Sequence, residues 1–301
     1  MKSVPGIGAG RPRSAVLAYL SCIRYPDVLV LQGSPLLGAA FALREPSLEA
    51  ALAGSVFALA GFLLVAHVWT LNDWANVATD RENPTRAERV FSTKGVSSRG
   101  LLGFSVGLLL ASLLVLALLS PLTALIGAAI AALGVVYSHP AFCAKSIPVV
   151  SSVPHVLGGL LHFLLGYSVF AAVDARGVLI GGFFALTFTA GHLNQEVRDH
   201  AGDRRSGLKT NAVYFGPRSA FLAGLAVFSL AYADLALLAW YGLVPPALGI
   251  VAALLYPVHL VLSVRALRAG LGFETVSRLQ RGYRTLYALI GLAMLGALVL
   301  R

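Results

Sequence analysis

Residues 71–80 read Leu-Asn-Asp-Trp-Ala-Asn-Val-Ala-Thr-Asp, and they close a long apolar run. Their polar positions are Asn72, Asp73, Asn76 and Asp80. Residues 194–203 read Asn-Gln-Glu-Val-Arg-Asp-His-Ala-Gly-Asp and place Gln195, Glu196, Asp199 and Asp203 at the same spacing. Each copy runs into an arginine, Arg81 or Arg204. Offsets of three, four and seven share one face of a helix, so each copy is expected to present a strip of oxygen ligands. Acids at the end of an apolar span are costly and usually functional. Two facing strips predict a site for divalent metal and, through it, something strongly anionic. Solvated helix ends paired with the adjacent arginines are the plainer reading. Two equally spaced copies in a chain with only 13 acidic residues argue against it.

The chain around these strips is 57% hydrophobic and 12% charged, with a mean hydropathy of +0.80. Soluble domains carry about 25% charged residues. The expected class is therefore all-α: a polytopic membrane bundle around a central cavity. Apolar segments fall near 27–43, 49–70, 100–119, 121–138, 150–172, 177–195, 217–241, 245–264 and 284–300. That predicts about nine spans, each near the ~20 residues a bilayer requires. Residues 1–25 are read as a basic tail with a short interfacial helix over 15–25, and 26–301 as one transmembrane domain. No cleavable signal peptide is expected. Cys22 and Cys143 suggest neither a disulfide framework nor a Cys/His metal site. In so apolar a chain, the net charge of +10 points to membrane orientation and anionic headgroups, not to nucleic acid.

If the N-terminus is cytoplasmic and the spans alternate, all 23 lysines and arginines fall on the cytoplasmic side except Arg44, Arg176 and Arg301. That bias supports the topology and puts both strips at the cytoplasmic face. The expected location is an inner, cytoplasmic membrane of the bacterial kind. The strips close the second and sixth expected spans, as a four-helix unit used twice would arrange them.

Mg²⁺ takes oxygen ligands, commonly one or two carboxylates plus substrate phosphates. Asp73, Asn76 and Asp80 make one candidate set, and Glu196, Asp199 and Asp203 the other. Asn72 and Gln195 offer amide oxygens to each. Such sets could clamp a diphosphate and assist breakage of its carbon–oxygen bond, most readily an allylic one. Arg81, Arg86, Arg89 and Lys94 follow the first strip, Arg198, Arg204 and Lys209 lie in and after the second, and Lys145 is alone in its loop. These are the usual partners of phosphate oxygens.

His67 and Trp69 lie one turn above the first strip and are candidates for a cavity wall whose aromatic face stabilises a cation. His155, His162 and His192 could face the same cavity, with His192 placed to bind an acceptor or take its proton. Asp234, inside an apolar span, is expected to have a partner or a watery cavity and could orient the acceptor.

With these residues in view, the chain resembles the UbiA superfamily of intramembrane prenyltransferases. The resemblance rests on Asn72-Asp73 through Asp80; on Asn83-Pro84 with Arg89 to Ser97; on Tyr137-Ser138-His139-Pro140; and on Arg198 to Thr210. It implies nine transmembrane helices around a cavity. It also implies Mg²⁺-dependent transfer of an isoprenoid chain from a prenyl diphosphate to a lipophilic, often aromatic, acceptor. By the resemblance Asp73, Asp80, Asp199 and Asp203 are metal ligands, and Arg89, Lys94, Tyr137, Lys145 and Lys209 contact the diphosphate. The chain departs from the family pattern at Asn76, where the family has Asp, at Val90 in place of a proline, and at Cys143, where relatives often carry lysine. Two rivals stand beside the transferase. A terpene cyclase of the same superfamily would ionise the diphosphate without an acceptor. A transporter with paired acidic gates would show broken helices at the bilayer midplane.

Overall fold

A computed structural model describes residues 14–82 and 90–299, and the described residues form helices joined by short loops. Helix α1 (Ala15–Leu20) starts where the Ser14 side chain accepts from the Leu17 N–H. It is shorter than the interfacial helix expected over 15–25, because the chain turns at Ser21–Ile23 before α2 (Tyr25–Leu31). α3 (Gly33–Ala42) follows α2 directly.

The first expected span is therefore not one helix. Pro35 has no N–H to offer the Leu31 carbonyl, and its ring would crowd that oxygen, so a helix cannot pass through this point unchanged. It is tolerated in the first turn of α3 instead. Eight helical segments are long and apolar enough to cross a membrane among the described residues. They are α4 (Leu48–Ala75), α6 (Ser98–Leu119), α7 (Pro121–Ser138), α8 (Val153–Phe170, with a short turn before it), α9 (Ala175–Arg205), α11 (Pro217–Trp240), α12 (Ala247–Arg268) and α13 (Phe273–Val299). The expected nine thus become eight unbroken spans and one broken segment. Two short helices lie in the loops, α5 (Val77–Glu82) and α10 (Asn211–Phe215).

The helices start where local chemistry lets them. Ser47, Ser97, Ser120, Asp174 and Thr210 each accept a backbone N–H in the first turn of α4, α6, α7, α9 and α10. The Gly177 N–H on Asp174 holds that carboxyl below the usual carboxylate range. α4 has 28 residues and α9 has 31, making them the longest described helices. At 1.5 Å per residue they reach about 42 and 46 Å, more than the ~30 Å hydrocarbon layer, so their polar ends can stand clear of it.

Packing is closest where glycine removes a side chain. A Cβ on Gly166 of α8 would stand 1.7 Å from the Pro35 carbonyl oxygen, and one on Gly38 of α3 would stand 2.0 Å from that of Phe163. The α3–α8 crossing is therefore a contact of backbones, the small-residue packing that membrane helices use. α8 meets α9 the same way at Gly159, 2.6 Å from the Phe184 oxygen. The most extensive pairings are α9 with α11, α3 with α8, and α4 with α6. α4–α6–α7 and α9–α11–α12 repeat one pairing order, and α13 returns to α9 and α3 to close the bundle. The core lies around Phe57, Leu64, Phe163, Phe183 and Leu235.

Gly166→Ala is expected to destabilise the protein by about 1–3 kcal/mol, because rigid backbone and not a flexible side chain must move. Thermal unfolding in detergent measures it. An unchanged midpoint would show that this crossing is not close-packed.

Candidate active site

The strip on α9 is continuous, as its spacing requires. The first strip is not. α4 ends at Ala75, Asn76 caps it with φ −97° and ψ 6°, and Asp80 belongs to α5. The expected single helical face is thus split at Asn76.

Both strips nevertheless reach one cavity. Asn72, Asp73 and Asp80 share its lining with Gln195, Arg198 and Asp199, and its volume is about 950 Å³. A smaller pocket of about 140 Å³ shares Asn72, Asp80 and Asp199 with it and adds Asn76, Lys145, Glu196 and Asp203. Four polar positions of each strip therefore converge. The deep end is lined by Val65 and Val68 of α4, Ile130 and Leu133 of α7, and Phe188 of α9. From Asp73 back to Val65 is roughly 12 Å of helix rise, and from Asp199 back to Phe188 roughly 16 Å.

The anionic groups are held by specific partners. Arg24, just before α2, pairs with Asp73 through two nitrogens, Nε donating to Oδ2 at 3.1 Å. The same guanidinium lies 4.9 Å from the centre of the Trp69 ring. Arg198 donates to both oxygens of Asp199 at 2.8 Å and to Gln280 Oε1 at 2.8 Å. Lys145 Nζ donates to Asn76 Oδ1. Asn72 Nδ2 donates to Ser138 Oγ at 2.9 Å, which fixes the amide oxygen on the other side. Lys94, in the short turn Phe91–Lys94, donates to the Ser21 carbonyl at 2.6 Å and lines the large cavity.

Glu196 sits differently from Asp73, its counterpart in the first strip. It is 5% exposed. Its Oε1 accepts from Ser151 Oγ at 3.1 Å and lies 3.1 Å from His192 Nε2. Asn211 of α10 donates to Ser151 Oγ at 2.9 Å and accepts the Val149 N–H at 2.7 Å. Glu196 therefore ties α9 to the Lys145 loop. That loop contains both described non-glycine residues with positive φ, Cys143 (45°) and Val149 (66°). For a β-branched residue such a φ is strained.

Among the remaining predicted residues, Tyr137, Trp69 and His192 line both cavities, as does His155, and His162 lines the large one. Lys209 is exposed and lines neither. Arg86 and Arg89 lie outside the described residues. His67 is absent from the cavity: its Nδ1 lies 2.9 Å from the Ser105 carbonyl and pins α4 to α6. Asp234 lines neither cavity, and its Oδ2 is buried without a hydrogen-bond partner among the described residues. Cys22 lines the large cavity, where burial pushes its thiol pKa up and keeps it protonated.

Sequence reasoning did not single out Arg24, Ser151, Asn211, Gln280 or Arg284, the last a cavity-lining cation, and it met Ser138 only inside the Tyr137–Pro140 motif. Arg24 was counted only toward topology. Its place one residue before Tyr25-Pro26, at the head of a span, was the available signal.

The model of the UbiA prenyltransferase family matches residues 34–271. The chain belongs to this family. No curated protein matches it in sequence. Among solved structures it is similar to a UbiA homologue from Archaeoglobus fulgidus bound to GPP and Mg²⁺, with 19% identity and a TM-score of 0.72 over 93% of this chain and 99% of that one. It is also similar to a structure described for digeranylgeranylglyceryl phosphate synthase in membranes, with 17% identity and a TM-score of 0.72 over 95% and 99%. The apo UbiA homologue from Aeropyrum pernix K1 gives 21% identity and a TM-score of 0.71 over 92% and 98%. At these identities the likeness to solved structures is one of fold. Family membership and the long apolar helices make this an integral membrane protein.

Asn211→Ala removes the clamp behind Ser151 and Glu196. It is expected to cost about 1–3 kcal/mol of stability, since buried polar groups lose partners. A thermal melt equal to the unaltered protein's would mean Glu196 is not held from the α10 side.

Proposed function

We propose that this protein is an intramembrane prenyltransferase that takes an allylic prenyl diphosphate at the mouth of the large cavity and passes the chain to a lipophilic acceptor. The observation that carries this reading is the convergence of both acidic strips on one cavity whose deep end is apolar. The family's name and the GPP- and Mg²⁺-bound relative from Archaeoglobus fulgidus support it. By the charge bias of its loops, the mouth faces the cytoplasm.

The donor set fits Mg²⁺. Among the described residues no three His, Cys, Asp or Glu side chains form a ready-made metal cage. What converges is all oxygen: Asp73, Asp80, Asp199 and Asp203, with the amides of Asn72 and Asn76. Mg²⁺ suits such a site, because it commonly takes one or two carboxylates and completes its shell with substrate phosphates and water. When bound, Mg²⁺ supplies neutralisation of the charge that gathers on the departing diphosphate.

The chain's own residues do the rest. Lys94, Arg198 and Arg284 line the cavity as cations for phosphate oxygens, with Arg24 beside them. Arg24 and Arg198 already hold Asp73 and Asp199, so a diphosphate can take up cations that the site has oriented beforehand. Trp69 and Tyr137 offer ring faces near the strips, where an allylic cation would be stabilised. Val65, Val68, Ile130 and Leu133 accept the isoprenoid chain and exclude water. The transporter reading gains nothing from the broken segment α2–α3. Gln32 at the break approaches Gly61 of α4, and it lines neither cavity.

Mass spectrometry of products from a panel of prenyl diphosphates, with and without aromatic acceptors, tests the reading. Asp73→Ala and Asp199→Ala are each expected to lower turnover by ~10²-fold or more while the protein still folds, since preorganised charge is removed from the reacting centre. Full activity in either would overturn the assignment. EDTA is expected to abolish turnover and added Mg²⁺ to restore it.

Asn76→Asp places a carboxylate beside Lys145 and is expected to preserve or raise Mg²⁺ affinity in a metal titration. A clear drop would put Asn76 outside the ligand set.

A further inference from the structure

Lys145 enters the smaller pocket from the loop between α7 and α8, beside Asp80, Asp199 and Asp203. Its Nζ donates to Asn76, where the first strip is split. The loop itself is fastened from the α9–α10 side. Asn211, the first residue of α10, is buried, and its amide makes three bonds to the loop. Oδ1 accepts the Val149 N–H at 2.7 Å, and Nδ2 donates to Ser151 Oγ at 2.9 Å and to Ser152 Oγ at 3.3 Å. Ser151 Oγ gives its own hydrogen to Glu196 Oε1 on α9. Next to Lys145, Ser146 Oγ accepts the Lys209 N–H at 3.2 Å. Lys145 is therefore a bridge. Its backbone belongs to a loop tied to α9 and α10, and its ammonium ends on the first strip.

The ties act on a strained turn. Val149 has φ 66° and ψ −49°, and the Val150 N–H donates across it to the Pro148 carbonyl at 2.8 Å. This is the γ-turn of positive φ, a rare conformation that a β-branched residue avoids. Val149 is 62% exposed, so packing of its own side chain does not offset the strain. Such a residue persists where its surroundings over-determine it, and the Asn211 amide supplies that hold. Without it, Val149 is expected to relax toward negative φ and to re-aim the chain that leads back to Lys145. Lysine is a point charge on a flexible stem, so the anchorage of its backbone decides where the charge can stand.

Resting on the prenyl-transfer reading above, we propose that Asn211 is a positioning residue for diphosphate capture. It lines neither cavity and acts through Lys145. By holding the turn at Val149, it sets the loop so that the Lys145 ammonium stands at Asn76, between the two strips. There the ammonium meets a phosphate oxygen of the ligand without a search for the right geometry.

The test measures binding instead of turnover. Geranyl thiolodiphosphate, whose carbon–sulfur bond resists ionisation, is titrated by calorimetry with Mg²⁺ into the full chain in lipid nanodiscs. Lys145→Met, Asn211→Ala and the double variant complete a cycle. Lys145→Met is expected to raise the dissociation constant roughly tenfold or more, the loss of one charge-assisted hydrogen bond. Asn211→Ala is expected to raise it roughly threefold to tenfold, by displacing the same ammonium. In the Lys145→Met background, Asn211→Ala should change it less than about twofold. An amide that only closes the fold would weaken binding by the same factor in both backgrounds. Three results would overturn the proposal: an unchanged constant in Asn211→Ala, an unchanged constant in Lys145→Met, or losses that multiply in the double variant. If Asn211→Ala does not fold, Ser146→Ala takes its place, since it removes the Lys209 contact beside Lys145. A loss of roughly threefold that vanishes with Lys145→Met is then expected; no loss, or a loss independent of Lys145, overturns the proposal. Absence of any binding by the unaltered protein would count instead against the prenyl-transfer reading.

Discussion

Arg24 reaches Asp73 from the segment that leads into α2, and this ion pair links the N-terminal part of the chain to the acidic end of α4. A carboxylate at the edge of a membrane bundle needs such a partner, because solvent there is scarce and an uncompensated charge is expensive. Arg198 does the same for Asp199 and extends to Gln280 on α13. Each strip thus meets the cavity with a carboxylate already paired to a cation, and carboxylates facing one cavity are what metal-assisted chemistry requires. The helix lengths, the glycine crossings and the caps serve to bring these groups to one place.

The two halves share a plan and differ in how each polar position is satisfied. Asp73 pairs with a cation, whereas Glu196 at the matching place is tied to Ser151 and His192. Asn76 receives Lys145, whereas Asp199 receives its own neighbour Arg198. On the prenyl-transfer reading, the halves would offer unlike side chains to a ligand that is itself asymmetric, a chain with charge at one end. Strain in the loop bearing Lys145, at Cys143 and Val149, is balanced by the Asn211 contacts that hold the loop against α10.

Much of this was legible in the residues themselves. The strips stood out because acids are rare in the chain, and their spacing survives whether one helix or two carry it. The broken first segment was legible less readily. Its length suits a span, and only the steric demand of Pro35 on Leu31 reveals the interruption. Arg24 was hidden because orientation already accounts for an arginine in that position. The histidines show the limit most plainly. His67 and His162 both lie in apolar helices, yet one pins α4 to Ser105 of α6 and the other lines the cavity. The difference is set by which helix packs against each face, and local pattern does not contain that information.

The prenyl-transfer reading requires α4–α5 and α9 to hold one ligand jointly. A double-mutant cycle on geranyl diphosphate binding, measured by calorimetry with Mg²⁺ for Asp73→Asn, Asp199→Asn and the pair, tests it most directly. A shared ligand predicts strong non-additivity, with a coupling of about 0.5–3 kcal/mol and a double variant little worse than either single one. Losses that simply add would mean the strips bind independently and would contradict the account.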